Sequence, residues 1–146
     1  MTFEIWHFQS MSLIALENLT KTYTNDHTET PALCDVSFSI DEGSFVAIMG
    51  PSGSGKSTLL HILGLLDKQT SGTYTLQGKK VDDFTSEELA QLRNNTMGFV
   101  FQAFFLLPRT SVLQNVLLPL VYSSIPEKEW HDRAIASIES VGLSHR

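Results

Sequence analysis

The sequence holds one cysteine, Cys34, in 146 residues. No internal disulfide can form, which excludes the disulfide-stapled classes of small secreted domain. The apolar neighbours Ala32 and Leu33 predict a buried thiol in a reducing compartment, with no nucleophilic role. Basic residues are also scarce: 10 Lys and Arg stand against 16 Asp and Glu, for a net charge of −6. Without a Lys/Arg cluster the chain offers no basic face, so nucleic acid is not an expected partner. Uninterrupted apolar runs of membrane-spanning length are missing as well. Residues 104–122 come nearest, but Pro108, Arg109, Gln114, Asn115 and Pro119 would place a charge, side-chain amides and helix-breaking prolines in lipid. Repeats and low-complexity segments are absent, and a hydrophobic content of 42% suffices for one core of ordinary size. Residues 1–10 lack the basic start and apolar stretch of a secretion signal, and Met11 is the expected natural start, leaving residues 1–11 as an N-terminal extension.

What the chain does have is a phosphate loop. Residues 50–57 read GPSGSGKS, which satisfies G-x-x-x-x-G-K-[ST] at each fixed position: Gly50, Gly55, Lys56 and Ser57. Ahead of it, residues 44–49 (SFVAIM) predict a buried strand; behind it, residues 57–66 predict a helix. A glycine-serine connector matching by chance would not bring that context. Gly50, Pro51, Ser52, Gly53, Ser54 and Gly55 then form a turn whose backbone N–H groups face inward around a phosphate chain, at a helix N-terminus already biased toward anions. Lys56 is expected to reach the β- and γ-phosphates and Ser57 to set its hydroxyl on Mg²⁺, with Thr58 completing the nucleotide-binding set.

Around this loop the pattern alternates between strand and helix. Residues 13–19 and 33–40 predict an antiparallel pair, with Val36, Phe38 and Ile40 on one face and a polar loop over 24–30 in which His27 is solvated. Residues 41–43 make a turn, and residues 73–82 a short hairpin around Gly78. Thr85 and Glu88 form a capping box for a helix through about Arg93. Residues 97–101 (MGFVF) predict an apolar strand ending at Gln102. Open α/β sheets put functional groups at that position, although a plain strand terminus is the commoner reason for such a residue. Thr110 or Ser111 caps a short helix through about Leu118. A longer one over 127–141 sets Trp130, Ala134, Ile135, Ile138 and Val141 on a core-facing stripe, with Gly142 as its stop.

From residue 12 to residue 146 these segments resemble the ATP-binding subunit of ABC transporters. Residues 45–63 (FVAIMGPSGSGKSTLLHIL), residues 98–102 (GFVFQ), residues 105–108 (FLLP) and the pair Asn115 and Val116 are similar to the branch that contains lipoprotein-release and macrolide-export ATPases. The resemblance implies an α/β fold, a P-loop NTPase of ABC ATPase type. Residues 12–146 would supply an incomplete RecA-like core, an N-terminal antiparallel β-subdomain and the start of the helical subdomain. It further implies that Tyr23 stacks on adenine and that Gln102 is the Q-loop glutamine that reaches Mg²⁺ and the attacking water. Residues 103–122 would dock on a transmembrane permease, with Phe104, Phe105, Leu106 and Leu107 as anchors. ATP and Mg²⁺ are the implied cofactors, a second ATP-binding subunit the other implied partner, and the cytoplasmic side of the plasma membrane the implied location. In complete form such a subunit couples ATP binding and hydrolysis to lipoprotein release or export.

The chain also departs from that family. The signature LSGGQ, the Walker B Asp with its catalytic Glu, and the switch histidine follow the matching region in the family and do not occur in this sequence. A polypeptide of these residues alone is therefore expected to bind nucleotide without hydrolysing it, and a non-catalytic nucleotide-binding fragment is the alternative description. A nucleoside-monophosphate kinase is the other rival, since guanylate kinases carry a similar GPSG loop. Those enzymes open on that loop and follow it with arginines that bind the acceptor, whereas here residues 12–49 precede it and residues 71–80 hold no arginine.

Overall fold

The computed structural model describes residues 12–25, 28–103 and 105–145; the expectations for residues 1–11, His27 and Phe104 lie outside them. The chain divides into two compact units, Met1–Leu89 and Ala90–Arg146.

The first unit is built on a four-stranded antiparallel sheet in the order β2-β1-β3-β4, with β1 at Ile14–Asn25, β2 at Thr28–Ile40, β3 at Ser71–Leu76 and β4 at Lys79–Lys80. Val36, Phe38 and Ile40 alternate on β2 as the pattern requires, half-buried between exposed Ser37 and Ser39. The described residues of the polar stretch expected as a loop are strand instead, for Thr24 and Asn25 pair with Glu29 and Thr28, and Thr30 pairs with Tyr23. Threonines supply the reason: β-branched side chains suit an exposed pleat, so polarity there does not signal a loop. Register irregularities between Leu16 and Leu19 put both of these leucines inside although they are three positions apart. Cys34 is exposed rather than buried, because its neighbour Leu33 takes the inward side of the pleat. The turn from β3 to β4 has φ of 51° at Gln77 and 78° at Gly78, the doubly left-handed geometry of a tight hairpin.

Helix α1, Lys56–Leu63, packs its buried residues Leu59 and Ile62 in this unit. It stops short of the expected Leu66. Leu65 takes φ 56°, and the N–H groups of Leu65 and Leu66 donate to the carbonyls of Ile62 and His61, closing the helix with a Schellman turn. Tyr74 on β3 is fully buried and donates its hydroxyl to the Leu63 carbonyl at 2.9 Å, joining sheet and helix end. Its burial pushes the phenol up to about 12.

Neither expected strand beside the functional segments forms. Residues 44–49 form no strand, and Phe45 is 98% exposed. Residues 97–101 likewise carry no strand, and Val100 is fully exposed. Strand character requires a neighbour to bond to, and among the described residues neither segment has one. The phenylalanines gather on each other instead, Phe101 lying 5.8 Å from Phe99 and 4.8 Å from Phe105 between ring centroids.

Helix α2, Ser86–Thr96, starts at the capping box: Thr85 Oγ1 accepts from the Glu88 N–H at 3.2 Å and Glu88 Oε2 accepts from the Thr85 N–H at 2.7 Å. It runs past Arg93, ending in the second unit. There α3, Val112–Leu117, is capped by Ser111 and Gln114, and a 3₁₀ turn, Leu118–Tyr122, follows with Pro119 near its start. α4, Trp130–Ser140, buries Ala134 and Ile138. Val141 does not join that stripe and is 68% exposed. The Gly142 and Leu143 N–H groups bond back to Glu139 and Ile138, and that Schellman closure turns Val141 away from the core. Among the described residues no helix is long and apolar enough to cross a membrane.

Candidate phosphate-binding site

The chain enters α1 through Gly55, at φ 84° and ψ 3°, and no side chain caps the helix. The first N–H groups of a helix have no intrahelical acceptor, and at Lys56, Ser57 and Thr58 they point outward from the positive end of the helix dipole. Only at Leu59 does the intrahelical pattern begin, with a 2.9 Å bond to the Gly55 carbonyl. Such an end is suited to an anion.

Close packing holds the loop in this shape. A Cβ on Gly55 would collide with the Ala32 carbonyl oxygen and lie 2.8 Å from Leu33 Cδ2, so the loop backbone rests directly on β2. A Cβ on Gly50 would fall 2.7 Å from Ser54 Oγ, and the Ser54 N–H donates to the Pro51 carbonyl at 3.3 Å across the turn. Ser52, Gly53, Ser54 and Ser57 face solvent, while Thr58 is half-buried.

Lys56 folds back over this turn. Its Nζ donates to the Pro51 carbonyl at 2.6 Å and lies 3.4 Å from Ser54 Oγ. A phosphate oxygen competes well for that ammonium, since a bond between two charged groups is stronger than one to a neutral carbonyl. For the metal, no group of three or more His, Cys, Asp or Glu that could hold an ion occurs among the described residues. Mg²⁺ takes oxygen ligands and keeps several of its waters beside substrate phosphates, and the exposed Ser57 offers one hydroxyl of that kind. The residues present thus fit both a polyphosphate and its Mg²⁺.

Tyr23 stands on the same sheet, near where the loop rests. Lys21 on β1 pairs with Leu33, the residue against Gly55, and Tyr23 follows two positions along the same face. Tyr23 is 41% exposed, and its hydroxyl donates to Asp67 Oδ2 at 2.8 Å. Lys21 Nζ lies 4.8 Å from the ring centroid and 2.6 Å from Asp67 Oδ1. Burial alone would raise the Asp67 pKa, but hydrogen bonds from Lys21, Tyr23 and the Lys68 N–H outweigh it and hold the carboxyl below its usual range. Asp67 is a site residue that sequence reasoning misses, because its contacts with Lys21 and Tyr23 span 46 and 44 positions. Gln102 is exposed in a bend of the second unit, not at the end of a strand.

Comparison with known proteins agrees with this geometry. The family model described as ABC transporter matches residues 33–146. An uncharacterized ABC transporter ATP-binding protein of Bacillus subtilis (strain 168), YvrO, is 47% identical over 134 residues, covering 92% of this chain and 58% of its own length. The macrolide export ATP-binding/permease protein MacB of Chlorobaculum tepidum is 50% identical over 134 residues, covering 92% of this chain and 20% of its own length. Among solved structures, the dimeric post-hydrolysis state of the ATP-binding cassette MJ0796 bound to ADP and Pi matches with a TM-score of 0.75 at 43% identity, over 86% of this chain and 56% of that one. The chain spans little more than half the length of YvrO and MJ0796.

Proposed function

The chain belongs to the ABC transporter family and has its ATPase cassette fold, and from that premise we propose that it is the nucleotide-holding portion of a subunit that couples ATP binding and hydrolysis to export or lipoprotein release. The observation that carries this reading is the uncapped start of α1 behind Gly55, with the Lys56 ammonium folded over the loop. In this reading residues 12–146 are the N-terminal portion of the ATP-binding domain and residues 1–11 an extension.

The loop N–H groups from Gly53 to Thr58 bind the β-phosphate, and Lys56 exchanges the Pro51 carbonyl for phosphate oxygens of the β/γ pair. Ser57 holds Mg²⁺, which supplies neutralisation of charge on the phosphates. Tyr23 offers its ring to the adenine. Gln102 senses the γ-phosphate and orients water. Phe105, 72% exposed, heads the apolar segment Phe105, Leu106 and Leu107, which supports docking on a transmembrane permease from the cytoplasmic side. A second ATP-binding subunit completes the assembly, and the dimeric MJ0796 relative supports that arrangement. The MacB relatives are macrolide exporters by name, which favours export over lipoprotein release.

The test is product analysis. Given ATP and Mg²⁺, a polypeptide that joins these residues to the family's signature and Walker B segments should release inorganic phosphate, whereas one of these 146 residues alone should bind ATP with phosphate release at background. Transfer of the γ-phosphate to an added nucleoside monophosphate would identify a kinase and overturn the reading. Turnover by the 146-residue polypeptide that vanishes in Lys56→Ala would show that a catalytic base lies within these residues.

A further inference from the structure

We propose that Asp67 is a positioning residue for nucleotide binding, fixing the Tyr23 ring before the base arrives; the inference rests on the adenine-stacking role given to Tyr23 above. Both carboxylate oxygens are engaged. Oδ2 accepts from the Tyr23 hydroxyl at 2.8 Å, and Oδ1 accepts from Lys21 Nζ at 2.6 Å and from the Lys68 N–H at 2.7 Å. Lys21 also donates to the Lys68 carbonyl at 2.6 Å, which ties β1 to the turn that follows α1.

Two consequences follow for the ring. The bond at the hydroxyl restrains both side-chain torsions of Tyr23, so the ring is ordered without the base. Lys21, 4.8 Å from the centroid, covers the ring on its own side, so the base is offered the other. The network joins the platform to the helix whose opposite end carries the phosphate loop, and the spacing between the two halves of an ATP site is thereby set within one unit.

The experiment compares binding of ATP with binding of inorganic tripolyphosphate, which lacks the base, by calorimetry on the purified protein. Tyr23→Phe keeps the ring and removes only the anchored hydroxyl; Asp67→Ala removes the anchor. Each should weaken ATP by about 3–10-fold, the scale of ordering one side chain, with tripolyphosphate unchanged. The double variant should be no weaker than Asp67→Ala alone, because both changes break the same bond. Tyr23→Ala separates this inference from its premise: unchanged ATP affinity there removes the platform itself. Loss in Tyr23→Ala, combined with full ATP affinity in Tyr23→Phe and Asp67→Ala, overturns the positioning role alone. Equal weakening of both ligands in Asp67→Ala also overturns it, since Asp67 would then be a staple of the fold. Tyr23→Phe decides the matter if a thermal melt shows that Asp67→Ala does not fold.

Discussion

At Gly55 an added methyl group would meet the Ala32 carbonyl while also forcing a side chain into φ 84°. Gly53 has a comparable φ of 81° but nothing within 4 Å of its missing Cβ. Substituting Ala at the two positions therefore separates strain from collision. Gly53→Ala should cost about 1–2 kcal/mol, the price of the left-handed conformation, and Gly55→Ala clearly more, because backbone on β2 cannot move aside cheaply. Denaturant unfolding of the two variants checks this; equal losses would mean that the loop does not rest on β2. Much of the site is legible at this scale. Gly50, Gly55, Lys56 and Ser57 are contiguous enough in sequence to form a pattern, and the structure folds them into one turn. Asp67 is not legible, because its partners Lys21 and Tyr23 lie 46 and 44 positions away and no local spacing records such a contact.

Elements differ in legibility according to where their bonding partners are. Helix caps are local, so Thr85 with Glu88 and Gly142 do what their sequence pattern indicates, and of the two cap candidates Thr110 and Ser111 it is Ser111 that caps, with Gln114 as its partner. Strands take their partners from elsewhere in the chain. The apolar segments 44–49 and 97–101 consequently look like strands in the sequence and are not paired in the structure, while the polar residues near Tyr23 look like loop and are paired. The junction between elements gives a pH-dependent prediction through Tyr74. Its buried phenol is raised from 10.0 to about 12, so the folded state favours the neutral hydroxyl. That contribution is complete below pH 10 and is lost as pH rises toward about 12. The loss should reach about 2–3 kcal/mol at the upper end. Tyr74→Phe should lower stability at neutral pH by about 1 kcal/mol, for the bond to Leu63, and should flatten the alkaline decline. Unfolding curves between pH 8 and pH 12 test both signs; parallel declines in the two proteins would show that Tyr74 is not the group responsible.

For the whole molecule, the first unit gathers the phosphate loop, α1 and Tyr23 onto one sheet, and the chain's match to the ABC family extends over residues 33–146. Phe45 and Met49, in the segment ahead of the loop, are exposed, and the chain spans 58% of the length of YvrO. The central claim, however, requires only what these residues contain: a loop and helix start that hold a triphosphate through Lys56. Calorimetric titration of Mg²⁺-ATP into the protein and its Lys56→Ala variant tests that claim most directly. Removing the ammonium leaves the phosphates without their cationic partner, so affinity should fall by about 2–4 kcal/mol while the thermal melt of the unliganded protein stays in place. Equal ATP affinity in the two proteins would contradict the account, for the loop over which Lys56 folds would then not be where the nucleotide binds.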